Sequence, residues 1–142
     1  MTVIGLDDTD SRTRGMCTTY AATRLAERIA DAGGTVHRTL LVRLDPAVEH
    51  KTRGNAALAV HCDLAADRAL DLGRDVLAMA EADDPRTNPG LVVADCEPAA
   101  VPAAVAAHAR AAVREVLDIE TARQRIDDAG FGSAAVGNGR GL

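Results

Sequence analysis

The order of elements legible in this 142-residue chain predicts an α/β (α+β) fold. Specifically, it predicts a β-α-β-β-α-β ferredoxin-like sheet with extra C-terminal helices. Three observations lead there. A short apolar run stops abruptly in carboxylates, two stretches repeat apolar residues at helical spacing, and two strand-like runs flank a ten-residue loop. The length suits one domain with a sizeable core.

Residues 2–6 read as a buried strand, stopped by Asp7-Asp8-Thr9-Asp10-Ser11. A polar, glycine-containing loop runs to about Cys17. From Thr18 or Thr19 to residue 32, Ala22, Leu25, Ala26 and Ile29 recur every three or four positions. This predicts a helix opened by a capping threonine and closed by Gly33-Gly34. Residues 36–44 form a second strand; Arg38 and Arg43 break strict alternation, so one end is expected to be exposed. The loop 45–54 carries Pro46, Lys51 and Arg53, and 55–62 is a third strand. A helix over 64–82 contains Gly73, which weakens it. A turn-rich loop over 83–89, a strand over 91–94, an alanine-rich helix over 99–117 and a shorter helix over 120–128 follow. The glycine-rich end, 130–142, reads as a loop.

Composition narrows the function. Tyr20 and Phe131 are the only aromatic residues, so the core must be aliphatic and base-stacking platforms cannot be built. Residues 1–54 carry eight basic and seven acidic side chains, whereas residues 55–142 carry eight and fourteen, leaving a formal net charge of -5. Anions are therefore better tolerated in the first part of the chain. Cys17, Cys62 and Cys96 suggest neither a disulfide framework nor a zinc knuckle. With no membrane-length apolar run and no leader pattern, a soluble, cytoplasmic protein is expected. Lys51 is the only lysine beside fifteen arginines. Its compact ammonium is a candidate ligand for charge, as much as a residue on a solvated face.

The strongest local signal is a strand delivering three carboxylates, Asp7, Asp8 and Asp10, into a loop. Carboxylates this close repel one another unless a cation compensates, and Mg²⁺ takes such oxygen ligands together with substrate phosphates. An acidic turn bonded to its own backbone is the plainer reading. The turn Arg14-Gly15-Met16-Cys17-Thr18-Thr19 then enters a helix, whose first amides and dipole favour a phosphate. No lysine precedes the threonines, so this is not a Walker A loop. Lys51 and Arg53, in the loop before the third strand, can face a polyphosphate if the two strands form a hairpin. His37, His50, His61 and His108 are too scattered for a metal set. Asp8-Thr9-Asp10-Ser11 begins a haloacid-dehalogenase pattern, but Arg12 stands at its last position and the repeated parallel-strand units are missing.

Taken together, Ile4-Gly5-Leu6-Asp7-Asp8-Thr9-Asp10-Ser11, Arg14-Gly15-Met16-Cys17-Thr18-Thr19-Tyr20 and Leu41-Val42-Arg43-Leu44-Asp45-Pro46 resemble the archaeal 2-agmatinylcytidine synthetases that act on an isoleucine tRNA, the TiaS family. Lys51-Thr52-Arg53-Gly54-Asn55, Thr87-Asn88-Pro89-Gly90 and Gly139-Arg140-Gly141-Leu142 continue the match in order. One departure is Asp45-Pro46, where Asn-Pro is common. The resemblance implies an ATP-dependent ligase that activates the C2 carbonyl oxygen of the wobble cytidine. Agmatine then displaces the activating group, giving agmatidine, which reads AUA. It implies that residues 1–142 are one ATP-binding, kinase-like domain cut short at its C-terminal end. The OB-fold and zinc-ribbon domains that bind tRNA would be absent. Thr18 falls on the family's phosphorylated threonine. Asp7, Asp8 and Asp10 would hold Mg²⁺, and Arg14, Gly15, Cys17, Thr18, Thr19, Lys51, Arg53 and Asn55 would hold ATP. A non-catalytic ATP-binding scaffold and a general Mg²⁺-dependent phosphatase are the competing expectations.

Overall fold

A computed structural model describes residues 1–49, 51 and 54–135. β1 (Thr2–Asp7), α1 (Thr18–Asp31), β2 (Val36–Arg43), β3 (Ala56–Cys62), α2 (Ala66–Leu77) and β4 (Gly90–Ala94) follow the β-α-β-β-α-β order. A short 3-10 turn (Pro98–Ala100), α3 (Ala103–Ala112), α4 (Ile119–Asp128) and β5 (Gly132–Ala135) come after. Among the described residues the sheet has five strands in the order β2-β3-β1-β4-β5, every neighbouring pair antiparallel. Its first four strands have the ferredoxin-like arrangement expected from the sequence.

Alternation along the strands divides the sheet into two faces. Ile4 and Leu6 of β1, Leu58 and Val60 of β3, and Leu91 and Val93 of β4 are buried in one cluster. Leu25 and Ile29 of α1 and Leu72, Val76 and Leu77 of α2 close over it. Each of these side chains contributes about 1.5–3 kcal/mol by leaving water, which is how a chain almost without aromatics holds its core.

Gly73, in the middle of α2, is there for space. A Cβ at this position would come within 2.5 Å of Leu91 Cδ1, and Leu91 is fully buried. The local weakness read from the sequence lets helix and sheet approach closely.

Four expectations are corrected. The helix expected over 99–117 is broken: Pro102 lacks an amide proton, and α3 occupies only Ala103–Ala112. The glycine-rich end is a strand where it is described, because Gly132–Ala135 adds to the free edge of β4. Gly132 is small for a reason, since a Cβ there would lie 3.1 Å from Leu70 Cδ2 of α2. No threonine caps α1; its N-cap is Cys17, with no side-chain cap hydrogen bond. β2 is exposed along nearly its whole length, being the outer strand of the sheet, rather than at one end.

The register places β1, β2 and β5 parallel to one another, with β3 and β4 opposed. The ends of β1 and β2 and the starts of β3 and β4 therefore meet at one end of the sheet, as the pairs Asp7↔Gly90 and Arg43↔Ala56 show. The loops that carry the sequence motifs leave from that end.

Candidate functional site

A cleft of about 630 Å³ opens there. Asp7, Asp8 and Asp10 line it, with Cys17, Thr18 and Thr19 at the entrance of α1 and Lys51 and Asn55 from the β2–β3 hairpin. Segments far apart in sequence thus converge on one space. Arg53 lies outside the described residues, as do Gly139-Arg140-Gly141-Leu142. Arg14 and Gly15 do not line the cleft. Gly15, at φ +96, shapes the turn instead, and its carbonyl accepts the Ser11 amide at 2.9 Å.

The acidic loop is held tightly. The Asp7 carboxylate accepts the Asp8 amide at 2.8 Å, and Asp8 Oδ2 accepts the Asn88 amide at 2.6 Å. Asp8 sits at φ 53 and Met16 at φ 65, left-handed conformations that cost an L-residue about 1–2 kcal/mol each. The loop between α2 and β4 backs this turn. Glu81 donates its amide to the Thr9 carbonyl at 3.1 Å, and the Thr87 hydroxyl donates to the Asp10 carbonyl at 2.7 Å.

Burial and like charge load the carboxylates. Asp7 is pushed up to about 7, mainly by burial and further by Asp8 and Asp10, against the Asp8 amide that favours its charged form. Asp8 is raised too, first by burial and then by Asp10 and Asp84, against the amide of Asn88. A cation placed among these groups relieves both costs. Among the described residues no three His, Cys, Asp or Glu side chains form a ready-made metal cage. Carboxylate oxygens are the donor type that a divalent cation such as Mg²⁺ would take, with other oxygen ligands completing its shell.

The opposite charge comes from the surrounding loops. Lys51 Nζ donates to the Pro46 carbonyl, and the Arg12 guanidinium donates to the Lys51 carbonyl, joining the β1–α1 and β2–β3 loops. Asn55 Nδ2 donates to the Asp45 carbonyl at 3.1 Å across the hairpin. Asp45 accepts the Ala47 amide at 2.9 Å, a turn-building bond that an asparagine oxygen makes equally well, so the departure at Asp45-Pro46 keeps this turn.

Sequence reasoning missed several lining groups. Arg43, at the end of β2, and Arg86 and Asn88, beside Gly90, bring further cationic and amide groups to the cleft. Gly54 gives Arg43 its room, because a Cβ there would meet the guanidinium at 2.7 Å. Arg43 was visible as a break in alternation, and Asn88 stands inside a quoted motif. An apolar wall was also missed: Leu41, Val92, Leu117, Ile119, Ala122 and Ile126 face the same space. α4 presents part of that wall, its start fixed by Asp118, which accepts the Thr121 amide at 2.7 Å.

Fold and site together define an α/β domain with a carboxylate-rich cleft at one end of an antiparallel sheet. The family model described as "TiaS TCKD domain" matches residues 3–73, and the chain belongs to the TiaS family. It is 50% identical over 143 aligned positions to the isoleucine-tRNA 2-agmatinylcytidine synthetase TiaS of Haloquadratum walsbyi, covering 99% of this chain and 31% of that protein. The corresponding protein of Methanosarcina acetivorans is 36% identical, with 99% and 33% covered. A solved complex of TiaS with an isoleucine tRNA and ATP superposes with a TM-score of 0.86 at 37% identity, over 99% of this chain and 33% of that one. A complex of TiaS with an isoleucine tRNA, AMPCPP and agmatine gives 0.79 at 34% identity, with 99% and 33% covered. The chain spans about a third of the length of these relatives.

Proposed function

We propose that this chain is the ATP-binding, phosphoryl-transfer part of an agmatidine synthetase. The substrates would be ATP, agmatine and the wobble cytidine of an isoleucine tRNA. One observation carries the reading: Asp7, Asp8, Asp10, Thr18 and Lys51, drawn from three separate segments, line a single cleft. Relatives solved with an isoleucine tRNA and ATP, and with AMPCPP and agmatine, support it.

The residues divide the work by chemistry. Asp7, Asp8 and Asp10 would hold Mg²⁺, which when bound neutralises charge on the phosphates. The start of α1 has no side-chain cap hydrogen bond, and Cys17, Thr18 and Thr19 line the cleft there, so its first amides and its dipole would favour an anion at that point. Lys51 and Arg86 supply compact and planar cations from opposite loops. The apolar wall suits the base of a nucleotide better than its phosphates. Thr18 would accept the γ-phosphoryl group: its Oγ would release its proton to solvent and form the new bond to phosphorus as the bond between phosphorus and the ADP oxygen breaks. Residues 1–142 would form one kinase-like domain, with tRNA held mostly by parts of the protein beyond this fold. Among the described residues no helix is long and apolar enough to cross a membrane. The whole reaction is proposed for the cytoplasm.

A second reading has its own support. The Thr18 hydroxyl is buried and engaged by Thr9, which suits a module that binds ATP without transferring phosphate. Incubation with γ-labelled ATP and Mg²⁺, followed by peptide mapping, separates the two. Label on Thr18 supports transfer; saturable binding without label supports the scaffold. Hydrolysis of simple phosphate esters would point to a general phosphatase.

A further inference from the structure

We propose that Asp84 is a positioning residue for the phosphate end of this cleft, an inference that rests on the ATP-site reading. Asp84 does not line the cleft. It lies behind the cleft, 5% exposed, at the contact between the β1–α1 loop and the loop between α2 and β4. Both of its oxygens are used. Oδ2 accepts the Ser11 hydroxyl at 2.6 Å, while Oδ1 accepts the Arg86 amide at 3.0 Å and lies 3.8 Å from Arg86 Nε.

The Ser11 hydroxyl explains why a carboxylate is needed. Ser11 is 1% exposed, and its Oγ accepts the amides of Thr13 at 3.3 Å and Arg14 at 3.2 Å. A hydroxyl has one proton and two lone pairs. With both lone pairs turned to backbone amides, the proton must go to a pure acceptor, and Asp84 is that acceptor. The same carboxylate faces the Arg86 side chain, which reaches into the cleft. Asp84 therefore sets two things together: the shape of the 11–15 turn that leads into α1, and the aim of a cleft arginine from the facing loop.

An amide cannot do both jobs. In Asp84→Asn one oxygen becomes an NH₂ group, which must face either the Ser11 hydroxyl or the Arg86 amide, both donors. The variant also removes the charge that holds Arg86.

The test is calorimetry on the 142-residue chain with ATP·Mg²⁺ and with adenosine, alongside thermal melts. Asp84→Asn and Ser11→Ala should each weaken ATP·Mg²⁺ by about tenfold, the scale of one charge-assisted contact. Adenosine affinity should stay within about twofold, because the apolar wall is untouched. The double variant should be no worse than Asp84→Asn alone, since both changes break one chain of bonds. Should Asp84→Asn fail to fold, Ser11→Ala, which removes the hydroxyl that Asp84 accepts, carries the same comparison. Equal losses for ATP and adenosine would make Asp84 merely structural and overturn the inference. Unchanged ATP affinity in the variants, with normal binding by the parent chain, would overturn it while leaving the ATP site standing. A folded parent chain that binds no ATP would remove the site reading and this role together.

Discussion

The Thr18 hydroxyl oxygen, on the first turn of α1, accepts a hydrogen bond from the hydroxyl of Thr9 at 3.1 Å and lies 3.4 Å from the Thr9 amide. Thr9 is 1% exposed. The residue proposed to receive phosphate is therefore stapled to the turn that carries the aspartates, and it must exchange Thr9 for phosphorus in order to react.

Thr18→Ala should abolish phosphate incorporation from γ-labelled ATP, whereas Thr18→Ser should retain most of it. The alanine variant also leaves the buried Thr9 hydroxyl without that acceptor, so stability should fall by about 1–3 kcal/mol, read by denaturant melts. Full labelling of Thr18→Ala would remove this residue from the reaction.

Asp7 makes stability depend on pH in an unusual direction. Its folded value, about 7, lies above its ordinary value of 3.8. The native state thus keeps a proton that the unfolded chain loses between about pH 4 and pH 7. Stability from this group falls as pH rises through that window and is flat above it. The full penalty is on the order of 4 kcal/mol. Asp7→Asn keeps an acceptor for the Asp8 amide and carries no charge. It should melt higher than the parent chain at pH 8 and at nearly the same temperature at pH 4. A parallel pair of curves across that range would contradict the burial cost. Below pH 4 the sign reverses for Asp84, held low by the Ser11 hydroxyl and the Arg86 amide, whose contribution is lost as it protonates.

Asp8→Asn separates charge from shape. Asparagine tolerates the left-handed backbone at φ 53 and can still accept the Asn88 amide. Stability should change by less than about 1 kcal/mol near pH 4, where the contacts are kept, and the variant should be the more stable at pH 8, because burial, Asp10 and Asp84 disfavour the Asp8 charge. Magnesium-dependent ATP binding should fall at least about tenfold if this carboxylate holds the ion. Titration calorimetry with and without Mg²⁺ reads both arms.

Gly73→Ala tests helix propensity against packing. In an exposed helix the change would gain up to about 1 kcal/mol. Here the new methyl meets Leu91 Cδ1 at 2.5 Å in a filled core. Overpacking costs typically 1–3 kcal/mol, so the variant should be less stable on balance. A higher melting temperature would show that Leu91 has room to move.

How much was legible follows from the range over which each signal acts. The amino-acid order alone determined β1, α1, β2, β3, α2 and β4, because strand alternation and helical spacing are written within a few residues of one another. It also marked Asp7, Asp8, Asp10, Thr18 and Lys51, which stand in short, unusual blocks. Only the tertiary structure decided that Gly132–Ala135 is a strand: those residues carry little intrinsic preference, and the open edge of β4 imposes the conformation. Tertiary contact likewise assembled Arg43, Arg86 and the α4 wall around the cleft. Asp84 was invisible for the same reason, since its partner Ser11 lies 73 positions away and their 2.6 Å contact exists only once the chain has folded.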